Sequence, residues 1–577
     1  MNYKAEYDRW CSAPELPTDM RRELLEIASD NAEIESRFCA PLSFGTAGLR
    51  GIMGAGINRM NIFTVRQATQ GLARLIMTLG SAAMTRGVAI CMDSRHMSAE
   101  FAREAACVLA GNKIRVYLFD ALRPTPELSF AIRTIGCIAG INITASHNPC
   151  EYNGYKAYWE DGAQLPPAQA DVVADAISKT DIFKGIELAN YDRAVKKGLI
   201  TIIGEEVDES FLYHVMEMAI DKDAVAAVAD TFSVVYTPFH GAGHYLVPEA
   251  LRRLGLKNIV CVAEQMVLDG AFPTVASPNP ENKEGFALAI KLAAQHGSDL
   301  IIGTDPDADR VGVLARAANG DYVTISGNQM GVLLLDYIIN AKIKTGTMPE
   351  KPCALKTIVT TEMASAVCEK NGVAMFETFT GFKFLAEKIA QLQGDGYSYL
   401  LAFEESYGYL MGDFCRDKDA VCASMMIAEM AAHYAAQGMT LCSALSALYE
   451  KYGYFAEATI NLVMPGLDGL AEMASLMARL REHPPETLAD VAVLRVRDYL
   501  TGKLINMSDK SCESVALSGS NVLYFEMADK TSFIIRPSGT EPKIKIYILA
   551  SGTTQNDCDT KVSRYKSAAN TLANAGR

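Results

Sequence analysis

Short apolar runs that each break off at a polar turn constrain this chain more than any other feature. VAICMD ends at Asp93, RVYLFD ends at Asp120, and IAGINI ends just before Thr144, with helical segments at 97–110 and 126–135 between them. Strands that alternate with helices build a largely parallel sheet, and ligands bind such sheets in the loops beyond the strand ends. Asp93, Ser94 and Arg95 follow one strand end and Arg123, Pro124 and Thr125 another, so these residues are expected to shape the main loop. The pattern recurs at 233–243, 258–265 and 300–313, and again at 356–361, 373–381 and 399–408. The last part differs: strands at 457–463, 520–527, 531–536 and 543–550 surround helices near 468–482 and 556–575, the outline of a small α+β domain. A chain of 577 residues exceeds what one core supports. The expected class is therefore α/β, with three similar domains of mixed, largely parallel sheets over 1–205, 206–322 and 323–455, followed by an α+β domain over 456–577.

Composition narrows the partners. A formal net charge of −14 disfavours nucleic acid or an anionic membrane surface, so an anionic ligand would need a local basic pocket. The fourteen cysteines include no C-x-x-C pair, which points away from zinc or a disulfide framework and towards a reducing compartment. The first residues carry no apolar signal region, and no uncharged run long enough to span a membrane follows, so a cytoplasmic protein is expected.

Several loops carry chemistry. In ITASHNPCEYNGYK a strand end runs into Ser146, His147, Asn148 and Pro149, and Pro149 keeps the polar side chains before it out of a helix. Upstream, residues 18–38 read as one amphipathic helix leading into SFGTAGLRGIMGAGINRMN, where glycines at 45, 48, 51, 54 and 56 are expected to let backbone approach a ligand, with Arg50 among them. The spacing fails as a dinucleotide fingerprint, because Arg59 stands where the third glycine belongs. In LIIGTDPDADRVGV, Asp305, Asp307 and Asp309 alternate along a loop after a buried strand and can present three carboxylates to one hard cation such as Mg²⁺. Arg310 beside them can contact a phosphate that the metal also holds. Glu404, Glu405 and Ser406 leave another strand end together, with groups suited to sugar hydroxyls. Lys418 lies between two aspartates ahead of an Ala- and Met-rich segment, 420–437, that reads as core helix. RPSGTEPKIK combines cations, hydroxyls and successive amides in one tight turn, a phosphate cradle.

Together FGTAGLRG, TASHNP, DPDADR, FEESYG and RPSGTEPK, in this order along nearly the whole chain, resemble the α-D-phosphohexomutase superfamily, specifically its long phosphoglucomutase branch related to phosphopentomutases. The resemblance implies four domains around a central cleft. It implies Ser146 as phosphorylated nucleophile beside His147, with Ser146, Asp305, Asp307 and Asp309 as Mg²⁺ ligands. It places Arg50, Lys156 and Lys418 near proton transfer, where a lysine of lowered pKa could act as base. It assigns Glu404, Ser406, Thr380 and Gly381 to the sugar, and Arg310, Arg536, Ser538, Gly539, Thr540 and Lys543 to phosphate. The chain departs from the family at Ala420, where D-K-D-G is usual, and at Cys150, where Pro or Lys is common.

The expected reaction interconverts glucose 1-phosphate and glucose 6-phosphate through phosphoserine and glucose 1,6-bisphosphate, the latter also an activator; pentose or mannose phosphates are the alternatives. Phosphatases of the haloacid-dehalogenase type also use D-x-D after a strand, but have no need of Ser146 or the 536–543 loop. The expected assembly is a monomer or weak homodimer whose partners are small sugar phosphates.

Overall fold

The computed structural model describes residues 2–45, 48–463, 469–538 and 543–574, which fall into two compact units. One comprises Met1–Ser326 with Ser406–Leu441, the other Gly327–Glu405 with Cys442–Arg577.

Two sheets organise the first unit. The six-stranded sheet runs β1 (Leu49–Ile52), β5 (Tyr152–Trp159), β4 (Ala139–Ile143), β2 (Val88–Met92), β3 (Val116–Phe119), β6 (Ile200–Ile203) in spatial order. Strands β2, β3, β4 and β6 are parallel, whereas β5 pairs antiparallel with β4 and β1. Every residue of β2 and β4 is buried, which explains their unbroken apolar sequence: helices cover both faces of a parallel sheet. The five-stranded sheet has the order β11 (Tyr322–Ile325), β10 (Val311–Arg316), β9 (Leu300–Thr304), β7 (Ser233–Thr237), β8 (Asn258–Cys261), with β7, β8 and β9 parallel and β10 returning antiparallel. The Ala- and Met-rich segment is the helix Ala420–Ala436, buried from Ala420 through Ala432 and packed on the helices Gly243–Leu254 and Lys222–Val228. A helix apolar on all sides belongs inside.

In the second unit β13 (Ala374–Thr378), β12 (Pro352–Thr357) and β14 (Ser398–Glu404) lie parallel in that order. The C-terminal part is an antiparallel sheet in which Tyr454–Val463 pairs with Lys543–Gly552, followed by Ser532–Pro537, Leu523–Met527, Val491–Asp498, Lys503–Asn506 and Cys512–Ser514. Its apolar face takes side chains such as Met477 and Tyr565 from the helices Gly469–Glu482 and Gln555–Asn574. Its other face packs Tyr499, Tyr524 and Tyr547 against Ile358, Val359 and Phe379.

The expected α/β architecture with a C-terminal α+β domain is what the chain forms, with local corrections. The single helix over 18–38 is two, Thr18–Glu26 and Asn31–Phe38, because the Asp30 side chain accepts from the amides of Ala32 and Glu33 and starts a new helix. The strand read at 356–361 is Pro352–Thr357 and ends where that reading began. The C-terminal sheet has four further strands, 487–488, 491–498, 503–506 and 512–514. The glycine-rich stretch is the edge strand β1 and its flanks. A Cβ on Gly48, at φ +77°, would lie 1.8 Å from the Tyr155 carbonyl oxygen, and one on Gly56 2.9 Å from that of Arg37. Gly48 and Gly56 thus admit the protein's own backbone.

Candidate active site

Strand β4 delivers the chain into the loop that carries Ser146. Ser146 has φ +52°, a left-handed conformation that costs a residue with a side chain about 1–2 kcal/mol, and its amide donates to Thr144 Oγ1 at 2.8 Å. The loop is held by Arg95, whose guanidinium donates to the carbonyls of Ser146, Asn148, Pro149 (2.8 Å) and Tyr152 (3.0 Å). Arg95 is in turn braced by Asp93, 3.3 Å away, and both side chains are fully buried. This is the shaping role expected for Asp93 and Arg95. Arg123 does something else: its fork grips Asp208 at 2.6 and 3.0 Å, fixing a helix rather than the loop.

The Ser146 hydroxyl donates to Asp305 Oδ2 at 2.8 Å and lies 3.2 Å from His147 Nδ1. His147 is held neutral, well below its ordinary range, by burial and then by the charges of Arg310 and Arg50. Asp305 opens the acidic loop at the end of β9, and its Oδ1 accepts from the amides of Asp309 (3.1 Å) and Arg310 (3.0 Å), so the loop curls around it. Asp307 Oδ2 accepts from Thr125 Oγ1 at 2.8 Å and Lys156 Nζ at 2.7 Å, while the Thr125 amide donates to the Asp307 carbonyl. Asn142 completes the support by donating to Thr125 Oγ1 at 2.7 Å.

All three carboxylates are buried, with one oxygen of each within 4.8 Å of the others. Buried carboxylates so close must be compensated. Burial, then Asp307 and Asp309, raises the Asp305 carboxyl well above its usual range. Burial would raise Asp307 too, but Lys156 outweighs it and Asp307 is held low. Among the described residues, the buried Oδ1 atoms of Asp307 and Asp309 have no hydrogen-bond partner. Three hard oxygen donors with two of them unsatisfied fit a divalent cation of the Mg²⁺ kind.

Cations line the same place. Lys156, on β5 opposite Asn142, lies 2.7 Å from Asp307 and 3.6 Å from Asp309. Burial alone would lower its pKa, yet the two carboxylates outweigh burial and raise it. The two carboxylates therefore oppose the lowering that a base at Lys156 would need. Lys418 Nζ lies 3.2 Å from Asp309 and 3.0 Å from Asp417. Arg50 donates to Asn148 Oδ1 at 3.1 Å, and Arg310 pairs with Glu281 at 2.9 Å. The Ala420 departure is harmless: Asp419 caps the helix by accepting from the amides of Val421 (2.8 Å) and Cys422 (2.9 Å), so glycine is not needed there. Cys150 packs on the cluster containing Phe239 and Phe272. Ser146, His147, Asp305, Asp307, Asp309, Arg310, Lys156, Lys418 and Arg50 thus belong to one unit. Sequence reasoning passed over Tyr158 and Gln164, which donate to Asp417; the available signal was Tyr158's place two residues beyond Lys156, on the same face of β5.

In the second unit Glu404 ends β14 and its Oε1 accepts from the Gly381 amide at 2.9 Å, an approach that goes with Gly381's φ of +119°. The neighbouring Thr380 Oγ1 is buried without a hydrogen-bond partner among the described residues. Arg536 stands opposite Lys545, and the Ser538 amide donates to the Lys543 carbonyl at 2.8 Å, closing the base of the hairpin. Burial and then the charge of Arg536 lower the pKa of Lys383 in the first turn of the helix Phe382–Gly394. Gly539 and Thr540 lie outside the described residues. Ser406 lies in the turn after β14.

Residues 41–182, 209–319 and 326–452 match, in order, α/β/α domains I, II and III of phosphoglucomutase/phosphomannomutase. A phosphoglucomutase of Staphylococcus aureus (strain N315) is 36% identical over 524 residues, 90% of this chain and 91% of that protein. Two solved structures share the fold: a phosphoglucomutase/phosphomannomutase family protein from Burkholderia thailandensis (TM-score 0.67, 17% identity, 92% of this chain and 97% of that one), and parafusin, a phosphoglucomutase from Paramecium (TM-score 0.66, 18%, 93% and 96%). With three domains matched in series and a relative this similar across nine-tenths of its length, the chain belongs to the phosphoglucomutase/phosphomannomutase family within the α-D-phosphohexomutase superfamily.

Proposed function

We propose that this enzyme interconverts glucose 1-phosphate and glucose 6-phosphate through a phosphoserine at Ser146 and a glucose 1,6-bisphosphate intermediate. The observation that carries the reading is the Ser146 hydroxyl, on a left-handed backbone, held 2.8 Å from Asp305 inside a buried cluster of three carboxylates and several cations. A phosphatase nucleophile on the acidic loop would leave that serine without a purpose.

Asp305, Asp307 and Asp309, with an oxygen on Ser146, would hold Mg²⁺, which when bound neutralises charge on the phosphoryl group. The remaining work falls to the chain. A sugar hydroxyl oxygen attacks phosphorus, the bond from phosphorus to Ser146 Oγ breaks, and the hydroxyl's proton passes to a basic group of the site. When Ser146 attacks in turn, its proton has acceptors within reach in Asp305 and His147. Lys156, kept charged by Asp307 and Asp309, serves as a fixed cation, and Arg50, Lys418 and Arg310 add positive charge for the oxygens of the transferring group. Glu404, Ser406, Thr380 and Gly381 read the sugar. Arg536, Ser538, Gly539, Thr540 and Lys543 hold the phosphate that is not reacting, and must accept either end of the bisphosphate because it turns over between the two transfers.

The test incubates purified protein with labelled glucose 1,6-bisphosphate and Mg²⁺, maps the modified residue by mass spectrometry, and follows glucose 6-phosphate formation in a coupled assay. Label on Ser146 together with turnover is expected. Label on an aspartate, with release of inorganic phosphate, would overturn the reading in favour of a phosphatase.

A further inference from the structure

Lys418 is steered by a buried carboxylate that is itself fixed from strand β5. Asp417 Oδ1 accepts from the Lys418 amide at 2.8 Å and from Lys418 Nζ at 3.0 Å. Its Oδ2 accepts from the Tyr158 hydroxyl at 3.0 Å and from Gln164 Nε2 at 3.2 Å. Gln164 is set opposite Tyr158 by an antiparallel backbone bridge, so the two donors converge on one oxygen. Tyr158, Asp417 and Lys418 are all buried, at 0, 1 and 7% exposure, so water does not compete for these bonds. On the lysine's other side a Cβ on Gly408 would come within 2.3 Å of Lys418 Cδ, leaving the stem one channel.

Successive inward positions of β5 thus control two lysines. Lys156 reaches Asp307 directly, while Tyr158, two residues on and on the same face, reaches Lys418 through Asp417. Lys418 Nζ then meets Asp309 at 3.2 Å, which closes the chain of contacts back onto the acidic loop. We propose that Tyr158, assisted by Gln164, is a positioning residue for the phosphoryl transfer: its hydroxyl orients Asp417 and thereby sets where the Lys418 ammonium sits. This rests on the mutase reading for its consequence, but the placement of Lys418 can be measured without it. Losing the hydroxyl leaves Asp417 Oδ2 held only by the longer Gln164 bond and so loosens the carboxylate, and a displacement of about 1 Å in a group of this kind costs on the order of a hundredfold in rate at most.

The test compares wild type, Tyr158→Phe, Lys418→Met and the double variant. Tyr158→Phe is expected to lower kcat about tenfold with KM for the sugar phosphate within twofold, and to cost less than a further twofold in the Lys418→Met background. In parallel, an amine-reactive ester followed by peptide mass spectrometry reads the accessibility of Lys418 in substrate-free protein. Labelling of Lys418 is expected to rise at least fivefold in Tyr158→Phe, while that of Lys356, a fully buried lysine of the other unit, stays unchanged. Unchanged labelling of Lys418, a loss that multiplies with that of Lys418→Met, or a raised KM at constant kcat would each overturn the proposal. A wild type that turns over no sugar phosphate would sink the functional reading alone, because the labelling still decides the positioning.

Discussion

The Ser146 hydroxyl donates to Asp305 Oδ2 at 2.8 Å although 159 residues separate the two in the chain. The contact joins the loop after β4 to the loop after β9, and it places the proposed nucleophile where the acidic loop's charge acts on it. Ser146→Ala keeps Cβ but removes the oxygen that would carry phosphate. Its kcat is expected to fall by about 10⁴-fold or more, while thermal unfolding shifts little, since one hydroxyl contributes about 1 kcal/mol net. Turnover in a coupled assay and a melting curve on the same preparation check both halves.

Arg95 is the structural centre of that loop. Its guanidinium bonds four carbonyls from 146, 148, 149 and 152 and pairs with buried Asp93. A lysine offers three donors from one point and cannot span those acceptors. Arg95→Lys is expected to destabilise the protein by roughly 2–4 kcal/mol and to lower kcat at least tenfold, because carbonyls and a carboxylate stay buried without full partners. Urea unfolding gives the first number; a variant as stable as wild type would mean the loop holds its shape by other means.

Among the described residues, Asp307 and Asp309 each present a buried oxygen without a hydrogen-bond partner, so an added cation should bind the folded state alone. Millimolar Mg²⁺ is expected to raise the melting temperature of metal-free wild type, and Asp307→Asn to abolish that rise. Calorimetry with and without chelator reads this independently of activity. In the same variant kcat is expected to drop by orders of magnitude.

A pH prediction concerns Glu457, on the strand Tyr454–Val463. Burial raises its carboxyl to about 7, with Thr361 and Lys356 pulling the other way. The unfolded carboxyl titrates near 4.5. A raised folded pKa means the folded state holds its proton more tightly, so this stabilisation is complete below about 4.5 and lost as pH rises to about 7. Glu457→Gln keeps a neutral side chain at every pH. Its advantage over wild type is expected to be nil at pH 4, to grow through that window and to level above 7 at roughly 1–2 kcal/mol, discounted for a half-buried group. Denaturant titrations at four pH values test the shape.

What the sequence disclosed follows from the range of each signal. Strands β2, β4 and β9 were legible because full burial leaves an unbroken apolar run ending in a polar turn. Ser146 and the three aspartates stood out because each motif is local. Tyr158 had only its place two residues beyond Lys156 to mark it, since its meaning depends on Asp417, 259 positions away. The strand Val491–Asp498 escaped because Arg495 and Arg497 give it a polar character that is resolved only by Glu526 on the neighbouring strand. The packing role of Gly48 was hidden for the same reason, since what crowds it is the carbonyl of Tyr155, more than a hundred residues downstream.

The last prediction concerns the sugar. Glucose 1-phosphate and mannose 1-phosphate differ in one hydroxyl's orientation, and a site whose polar groups are placed for one epimer leaves them unpaired with the other. Glu404 is well placed to discriminate, because its Oε1 is fixed by the Gly381 amide at 2.9 Å, which aims the second oxygen of the same carboxylate. A preference for glucose 1-phosphate over mannose 1-phosphate is expected, with ribose 1-phosphate and deoxyribose 1-phosphate the serious competitors. Glu404→Gln can still accept the Gly381 bond but loses the charge that strengthens a hydroxyl contact. It should lower kcat/KM for glucose 1-phosphate by roughly 10–100-fold and narrow the gap between epimers, while Ser146 still takes phosphate from a bisphosphate donor. Measuring kcat/KM for all four sugar phosphates on both proteins decides it: mannose 1-phosphate equal to or better than glucose 1-phosphate in wild type, or an unchanged ratio in the variant, would show that Glu404 does not read the ring.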